Sequence, residues 1–286
     1  MFYTIRKSNT NTIILFPSPQ QIKVAIEWLL EHRASNPDLA YALNLVLTGK
    51  VIPDETGELV AISYNPSTTE RLTLDNIQGV IMVNSNNTQM SLESCNNLIT
   101  QSLFSLVKPR NCLLRVITSS QVKDWIRPIL IQDYQLKQEY DQIVMNCIRS
   151  PFLGEGRWAL PKDKSRLQAY EQAYITERGS GNPNRNWDDL INKRRIAVLE
   201  DSGQIVSVVR YNPINNDANL AAPFTFPEFR RQGFARKLLG FLIQELLTEY
   251  RAVKLWVDDD NLMAIALYRS LAFKQIGLCY TGYFCT

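Results

Sequence analysis

The chain has 286 residues, enough for two ordinary domains or one large one. Hydrophobic residues make up 45% of it and charged residues 21%, which is the balance of a soluble globular protein. A formal net charge of +3 is too small to predict a polyanion-binding surface, so nucleic acid is not an expected partner.

The first half, residues 1–150, reads as a mixed α/β domain. Two helices are expected first, the second of them after the cap-like sequence SNPD. The predicted helices are 20–32, 37–48, 93–106 and 119–129. The predicted strands are 58–64, 77–84, a short one near 88–92, 112–118, and an alternating apolar segment near 136–147.

The second half, residues 151–286, follows the sequence RSPFLGEG, whose proline and two glycines indicate a boundary near 150–156. Helices are expected at 164–178, 187–193, from about 233, and at 261–271. The sequence Asp201-Ser202-Gly203 predicts a hairpin turn between two strands. The other predicted strands are RWALPK, ANLAAPFTF, AVKLWVD, KQIGLCY and GYF.

Both halves show one order of elements: two helices, two or three antiparallel strands, a helix, a strand, a helix and a last strand. Residue identity between the halves is negligible, so the repeat concerns architecture only. The pattern favours a tandem arrangement. The alternative is an unrelated α/β domain in the first half.

Several kinds of site are not expected. The chain has one histidine, His32, at the end of a helical pattern. A histidine-dependent hydrolase would have to use it as its base, and a zinc site would have only His32 and isolated cysteines as ligands, so neither is expected. The five cysteines are scattered without Cys-x-x-Cys spacing, which predicts reduced thiols in a cytoplasmic protein. No run approaches the ~18 apolar residues of a membrane helix, and the first residues lack the apolar core of a signal peptide.

The stretch FTFPEFRRQGFARKLLGFLIQELL, residues 224–247, carries the chemistry. Pro227 ends a strand, and an apolar helical stripe starts around Gly233. Unpaired amides at a helix start attract anions, and Arg230 and Arg231 add positive charge there. The residues alone leave open whether this is an anion site or an ordinary turn with solvated arginines.

The motifs decide for the anion site. Arg230-Arg231-Gln232-Gly233-Phe234-Ala235 resembles the R/Q-x-x-G-x-G/A signature of the GNAT superfamily of acyl-CoA N-acyltransferases. Downstream, LWVDDDNLMAIALYRSLAF is similar to the family's second block. In that block Asn261, Ala264, Leu267, Tyr268 and Phe273 fall on matching positions, and Ala272 replaces a glycine. The resemblance covers about residues 156–286 and implies a GNAT fold there. The pairing of halves is similar to tandem GNAT proteins, including some that resemble glycine N-acyltransferases.

The resemblance implies acetyl-CoA, or another short acyl-CoA, as cosubstrate and no metal. The pyrophosphate of this acyl-CoA would receive amide hydrogen bonds from the turn around Gly233. Main-chain groups of the preceding strand would hold the pantetheine arm and polarise the thioester carbonyl. The residues assigned to the cofactor in this way are Phe224, Thr225, Arg230, Arg231, Gln232, Gly233, Phe234, Ala235, Arg236 and Asn261. Asn261 either bonds the pantetheine or caps a helix.

Two residues are expected to be catalytic. Tyr268 matches a tyrosine that protonates the departing thiolate in many relatives, and its alternative role is a core aromatic. Glu228 is the candidate general base, with a turn residue as the alternative. Asp258, Asp259 and Asp260 could receive a cationic amine, although a solvated acidic turn is the more ordinary reading.

The predicted function is therefore transfer of an acyl group, most simply acetyl, from acyl-CoA to the primary amine of a small acceptor. A protein N-terminus or lysine is an open alternative acceptor. A non-catalytic CoA-binding regulatory module is the alternative function. In the first half the matching stretch, MSLESCNNLITQSLF, has no glycine or arginine, so this half is predicted to bind no CoA.

Overall fold

A computed structural model describes residues 3–8, 11–32, 36–51, 59–66, 71–84, 88–107, 114–149, 154–179 and 183–285. The helices in these ranges are α1 (Pro19–His32), α2 (Pro37–Leu47), α3 (Asn97–Phe104), α4 (Ser120–Asp133), α5 (Lys164–Arg178), α6 (Trp187–Asn192), α7 (Phe234–Leu247) and α8 (Leu262–Ser270). The strands are β1 (Tyr3–Ser8), β2 (Asn11–Leu15), β3 (Leu59–Tyr64), β4 (Ile77–Val83), β5 (Gln89–Ser94), β6 (Leu114–Ser119), β7 (Gln135–Cys147), β8 (Arg157–Trp158), β9 (Ile196–Asp201), β10 (Gln204–Ile214), β11 (Asp217–Thr225), β12 (Ala252–Asp258) and β13 (Lys274–Cys285).

The chain divides into two compact units. Unit 1 comprises Met1–Val144, Trp256–Asp260 and Ile276–Thr286, and unit 2 comprises Met145–Leu255 and Asn261–Gln275. The order helix, helix, three strands, helix, strand, helix occurs twice, as α1-α2-β3-β4-β5-α3-β6-α4 and as α5-α6-β9-β10-β11-α7-β12-α8. The predicted mixed α/β class is confirmed. The tandem arrangement of two GNAT-like halves stays a prediction.

The sheet of unit 1 runs β1-β2-β3-β4-β5-β6 in chain order, and β13 follows β6. Neighbours from β1 to β5 are antiparallel, and β5 and β6 are parallel. β13 pairs with β6 from Cys279↔Ser119 to Phe284↔Leu114. The sequence predicted two short strands at the end of the second half. The structure has one long strand there, and most of it completes unit 1.

One acidic residue in unit 1 departs from the expected solvated turn. Asp258 is buried, and its Oδ1 accepts a hydrogen bond from Gln142 Nε2 at 2.8 Å. Asp259 and Asp260 are exposed, as expected. A buried carboxylate needs such a partner because its desolvation is costly. Asp258 therefore serves the packing of this unit.

Unit 2 is built on the strand order β12-β11-β10-β9-β8. Strands β8 to β11 are antiparallel, whereas β11 and β12 are parallel. The apolar stripe Leu238, Leu242 and Leu246 buries α7 against β9, β10 and β11. Residues of α5 and α6, among them Leu167, Tyr170 and Trp187, pack with the alternate residues of the same strands. A helical layer thus covers each face.

Of the predicted boundary, residues 150–153 lie outside the described residues. Gly154, the first described residue after them, packs closely against the backbone of α7. A Cβ at this position would lie 1.7 Å from the Phe241 nitrogen, so only glycine fits. The Gly154 N–H donates to Gln244 Oε1 at 3.1 Å, and the Glu155 N–H donates to the Lys237 carbonyl at 3.1 Å. The predicted strand RWALPK shrinks to β8, because Pro161 begins a helical turn.

Among the helices of the described residues, none has the length and apolar character that a membrane span requires.

Unit 2 allows a test of a buried ion pair. Asp163, 5% exposed, accepts hydrogen bonds from Arg157 at 2.6 and 2.9 Å and from the Leu160 N–H at 2.8 Å. Burial by itself would raise the pKa of Asp163, but these donors outweigh it and hold the pKa below its ordinary value. This stabilisation is present above the unfolded-state pKa, near 4, and is lost as pH falls through the lower folded-state pKa.

We expect Asp163→Asn to lower the free energy of unfolding by about 3 kcal/mol at pH 7. The difference from the parent should shrink below about pH 4, because the parent then loses the same charge. Urea denaturation at pH 7 and below about pH 4 measures this difference in the free energy of unfolding. Glu155→Gln, which breaks an exposed ion pair with Lys237, is the control and should cost less than about 1 kcal/mol. A pH-independent difference would contradict the assignment.

Candidate functional site

The site begins where β11 leaves β12. Their parallel register runs over three pairs only, from Asp217↔Ala252 to Asn219↔Lys254. At this end Lys254 Nζ lies 2.7 Å from Asp217 Oδ2, and both side chains are at most 5% exposed. From residue 220 onward the register of β11 is with β10 alone among the described strands. One edge of β11 is thereby released from the sheet.

A β-bulge lies in this released part of β11. Val208 pairs with Phe224, but Arg210 pairs with Ala221, so β11 carries one residue more than β10. Ala222 takes the left-handed φ of 49°. The Tyr170 hydroxyl on α5 donates to the Ala222 carbonyl at 2.7 Å.

The main chain after the bulge turns one amide outward. The Phe226 N–H donates to the Val206 carbonyl on β10 at 3.1 Å. Because successive amides of a strand alternate in direction, the N–H of Thr225 faces away from β10. Its carbonyl confirms this, because it accepts from Arg230 Nε at 2.9 Å. Of the two predicted strand residues, Thr225 therefore presents its amide at the free edge, and Phe224 does not.

The turn after β11 is open at the start of α7. Arg231 and Gly233 have positive φ values of 62° and 84°, a conformation in which successive N–H groups converge. The first bond of the helix runs from the Lys237 N–H to the Gly233 carbonyl, and Gly233, as the N-cap residue, has no side chain with which to cap the helix. A Cβ on Gly233 would meet no atom within 4 Å. An anion can thus approach the amides of Gly233, Phe234 and Ala235.

The two arginines of the turn lie differently. Arg230 donates to Glu177 and to the Thr225 carbonyl, and its guanidinium lies 5.4 Å from the centre of the Phe224 ring. It therefore ties the turn to the end of the strand. Arg231 is exposed and makes no ion pair with a described residue. Positive charge for a phosphate comes more directly from Arg231 than from Arg230.

The remaining turn residues are accessible. Gln232 and Arg236 are exposed, and Phe234 and Ala235 are half-buried at the start of α7. Gln232 Nε2 donates to the Glu228 carbonyl at 3.4 Å. The cofactor contacts assigned to these residues stay predictions.

Glu228 lies in a single 3-10 turn between β11 and the glycine turn. Its side chain is 55% exposed, and its Oε1 lies 3.9 Å from a guanidinium nitrogen of Arg166. Arg166 in turn stacks on the Phe226 ring at 3.4 Å from the ring centre. The carboxylate is accessible to a solvent-borne amine, and its role as base stays a prediction.

Asn261 caps α8, because its Oδ1 accepts from the Ala264 N–H at 3.1 Å. This is one of the two roles that the sequence left open. A contact of its side-chain amide with a pantetheine arm stays a prediction.

Tyr268 is buried on α8, with its ring 5.7 Å from that of Phe273. Burial raises the pKa of its phenol, and Tyr174 raises it further while Arg178 opposes the rise. Tyr174 also packs on Phe224, with ring centres 6.4 Å apart. Helix α5 thus contacts the end of β11 through Tyr174.

Sequence reasoning missed the contribution of α5 to this site. Tyr170 donates to the Ala222 carbonyl at the bulge, and Tyr174 packs on Phe224 of β11. The only signal in the sequence was Pro223, because a proline inside a strand pattern indicates a bulge or an edge. The helical period of α5 says nothing about which strand carbonyl its tyrosines meet.

Unit 1 has the same junction between β5 and β6, and protein groups close it. Asn36 Nδ2 donates to the Leu92 carbonyl at 3.1 Å and lies 3.5 Å from the Ile117 carbonyl. The buried Glu93 accepts from the hydroxyl and the N–H of Ser119 at 2.9 and 3.3 Å. These bonds fasten β5 to β6 where β11 and β12 have parted.

In unit 1 the start of α3, the helix that follows β5, is also capped by a side chain of the protein. Asn96 Oδ1 accepts from the Ile99 N–H at 3.0 Å at the start of α3. The prediction that this half binds no CoA stays untested, and the geometry is consistent with it.

Within the described residues, no group of three histidine, cysteine, aspartate or glutamate side chains is placed to hold a metal ion.

Comparisons with known proteins agree with this geometry. Residues 164–273 match the model of the acetyltransferase (GNAT) family. No curated protein matches the sequence. Three solved structures resemble the chain over most of its length. They are a GCN5-related N-acetyltransferase from Sphaerobacter thermophilus (16% identity, 95% of each chain, TM-score 0.60), a GNAT-family acetyltransferase from Colwellia psychrerythraea (12%, 95% of this chain and 99% of that one, 0.56) and a Drosophila protein (10%, 100% and 98%, 0.65).

Residues 164–273 therefore match the GNAT family, as the motifs of this half predicted. At these identities the three structures bear on the fold alone.

The open turn yields a direct prediction. Gly233→Val should weaken CoA binding by at least about 100-fold, the loss of two amide bonds to a charged phosphate. Isothermal titration calorimetry measures it. Gly203→Val is the matched control, because Gly203 also has a positive φ, 77°, and open space at its Cβ, but lies in the β9–β10 hairpin. Equal CoA affinities of both variants and the parent would remove the phosphate site from this turn.

Proposed function

We propose that the protein is an acyl-CoA-dependent N-acyltransferase that transfers acetyl, or another short acyl group, directly to a primary amine of a small or amino-acid-like acceptor. The observation that carries this proposal is the open turn at Gly233 next to the released edge of β11. The open turn fits the diphosphate of an acyl-CoA, and the free edge of β11 fits its extended pantetheine arm with the thioester carbonyl. The GNAT assignment of residues 164–273 supports it.

The turn would hold the diphosphate through the amides of Gly233, Phe234 and Ala235, with Arg231 supplying charge. The edge of β11 would hold the pantetheine arm in the manner of an added strand. Acyl-CoA supplies a thioester, which is activated for transfer to an amine.

Thr225 would donate its outward N–H to the thioester oxygen, where negative charge develops during attack. The Tyr268 phenol is protonated at neutral pH, as a tyrosine ordinarily is, and burial raises its pKa further, so its hydroxyl can donate to the departing sulfur. Since a tyrosine is a weak acid, we expect a strong hydrogen bond to the thiolate before the proton moves. Glu228 is the candidate to take the proton of an ammonium acceptor, directly or through water.

A cytoplasmic location fits the scattered cysteines. A protein acceptor is the second possibility for the substrate.

Thiol release tests the proposal. The protein is incubated with acetyl-CoA and a panel of amines, amino acids and short peptides, and the freed thiol is titrated with a chromogenic disulfide. Amine-dependent release above the hydrolytic background is the expected result. Binding of acetyl-CoA without release across the panel would favour a regulatory CoA-binding module instead.

Tyr268→Phe should lower kcat by about 100-fold, the range of a lost proton donor, with little change in acetyl-CoA affinity. Tyr250→Phe, which removes a buried hydroxyl bonded to Arg195 away from this site, should leave kcat unchanged. Because the pKa of Tyr268 is raised, the parent enzyme should show no loss of kcat from its ionisation up to about pH 10. A full rate in Tyr268→Phe would retire it as the donor.

A further inference from the structure

The bulge of β11 is held in place by a buried charged cluster on α5 and β10. Tyr170 is fully buried, and its hydroxyl contacts two groups: the Ala222 carbonyl at 2.7 Å and Arg210 Nε at 3.2 Å. A guanidinium can only donate. Arg210 therefore occupies a lone pair of the tyrosine oxygen, and the hydroxyl proton is directed to the Ala222 carbonyl. Burial raises the pKa of Tyr170, which keeps that proton in place.

Arg210 is fixed in turn. A guanidinium nitrogen of Arg210 lies 3.8 Å from Glu171, and Arg185 donates to both oxygens of the same carboxylate at 2.8 and 3.0 Å. Glu171 is 3% exposed. Two arginines on one buried carboxylate leave little freedom to any of the three, so the donor to Tyr170 has one position.

The bulge itself needs such support. Ala222 has a left-handed φ of 49°, which is unfavourable for a residue with a Cβ. Pro223 follows it and disfavours helical conformations at the residue before it. A strained backbone persists only when its surroundings hold it. The Tyr170 hydrogen bond is made directly to the carbonyl of the strained residue.

We propose that Tyr170 is a positioning residue for acyl transfer, whose hydroxyl fixes the bulge at Ala222 and thereby sets the direction of the Thr225 N–H. Thr225 lies three residues after the bulged Ala222, and the bulge decides which edge of β11 its amide faces. The inference rests on the proposed function, since the Thr225 amide matters there as the donor to the thioester oxygen. Tyr170 would act through the strand, since the described contacts of its hydroxyl are with the Ala222 carbonyl and Arg210.

Tyr170→Phe is the test, because it removes the hydroxyl and keeps the ring that packs on Phe224 and Trp187. Tyr211→Phe is the matched control, since Tyr211 is also a buried tyrosine on an arginine, but its hydroxyl accepts from Arg195, and none of the described hydrogen bonds joins it to Ala222. The first measurement needs no turnover. Deuterium exchange of the peptide covering residues 220–226 should be faster in Tyr170→Phe than in Tyr211→Phe.

The second measurement compares ligands with and without the acyl carbonyl. In Tyr170→Phe the affinity for CoA should stay, while the preference for acetyl-CoA over CoA and the value of kcat should fall, kcat by about 10- to 100-fold. Arg210→Gln, which acts through the same hydroxyl, should give the same pattern. Should Tyr170→Phe match Tyr211→Phe in exchange, in ligand preference and in kcat, the positioning role is wrong. If the parent releases no thiol with any amine, the proposed function fails, and the exchange comparison still decides whether Tyr170 holds the bulge.

Discussion

The parting of β11 from β12 after three residue pairs is the constraint on which the rest of unit 2 depends. A strand inside a sheet has no main-chain groups to offer a ligand, because its neighbours use them. Once β12 diverges, β11 has a free edge whose next element is the open turn of α7. The buried pair Asp217–Lys254 holds the two strands together at the closed end. The junction is thus firm at one end and accessible at the other.

Unit 1 shows that this order of elements does not by itself make a site. Its β5 and β6 stand in the same relation as β11 and β12, yet Asn36 and Glu93 supply the bonds that a ligand would otherwise make. Buried main-chain groups must be satisfied in either case. Unit 1 satisfies them with side chains, whereas in unit 2 the proposed acyl-CoA would satisfy them. Function therefore follows from the residues at the junction and not from the fold.

Side chains of helix α5 contact β11 and fix its conformation. Its tyrosines reach β11 at Ala222 and Phe224, while Glu171 fixes Arg210 from the same helix. A strained strand segment is kept in one conformation by groups that are themselves buried and paired. Such rigidity suits a main-chain donor, since a hydrogen bond that stabilises developing charge works best when it is already oriented.

Local patterns in the sequence determined α5 at residues 164–178, the hairpin at Ser202 and Gly203, and the turn at Gly233, because each depends on residues a few positions apart. The GNAT-like motifs predicted the family that residues 164–273 match. Only the tertiary structure decided that β13 pairs with β6, that Asp258 is buried against Gln142, that Arg230 is bound to Glu177, and that Tyr170 meets Ala222. Each of these contacts joins residues about 50 to 170 positions apart, where periodicity and turn chemistry carry no information about the partner.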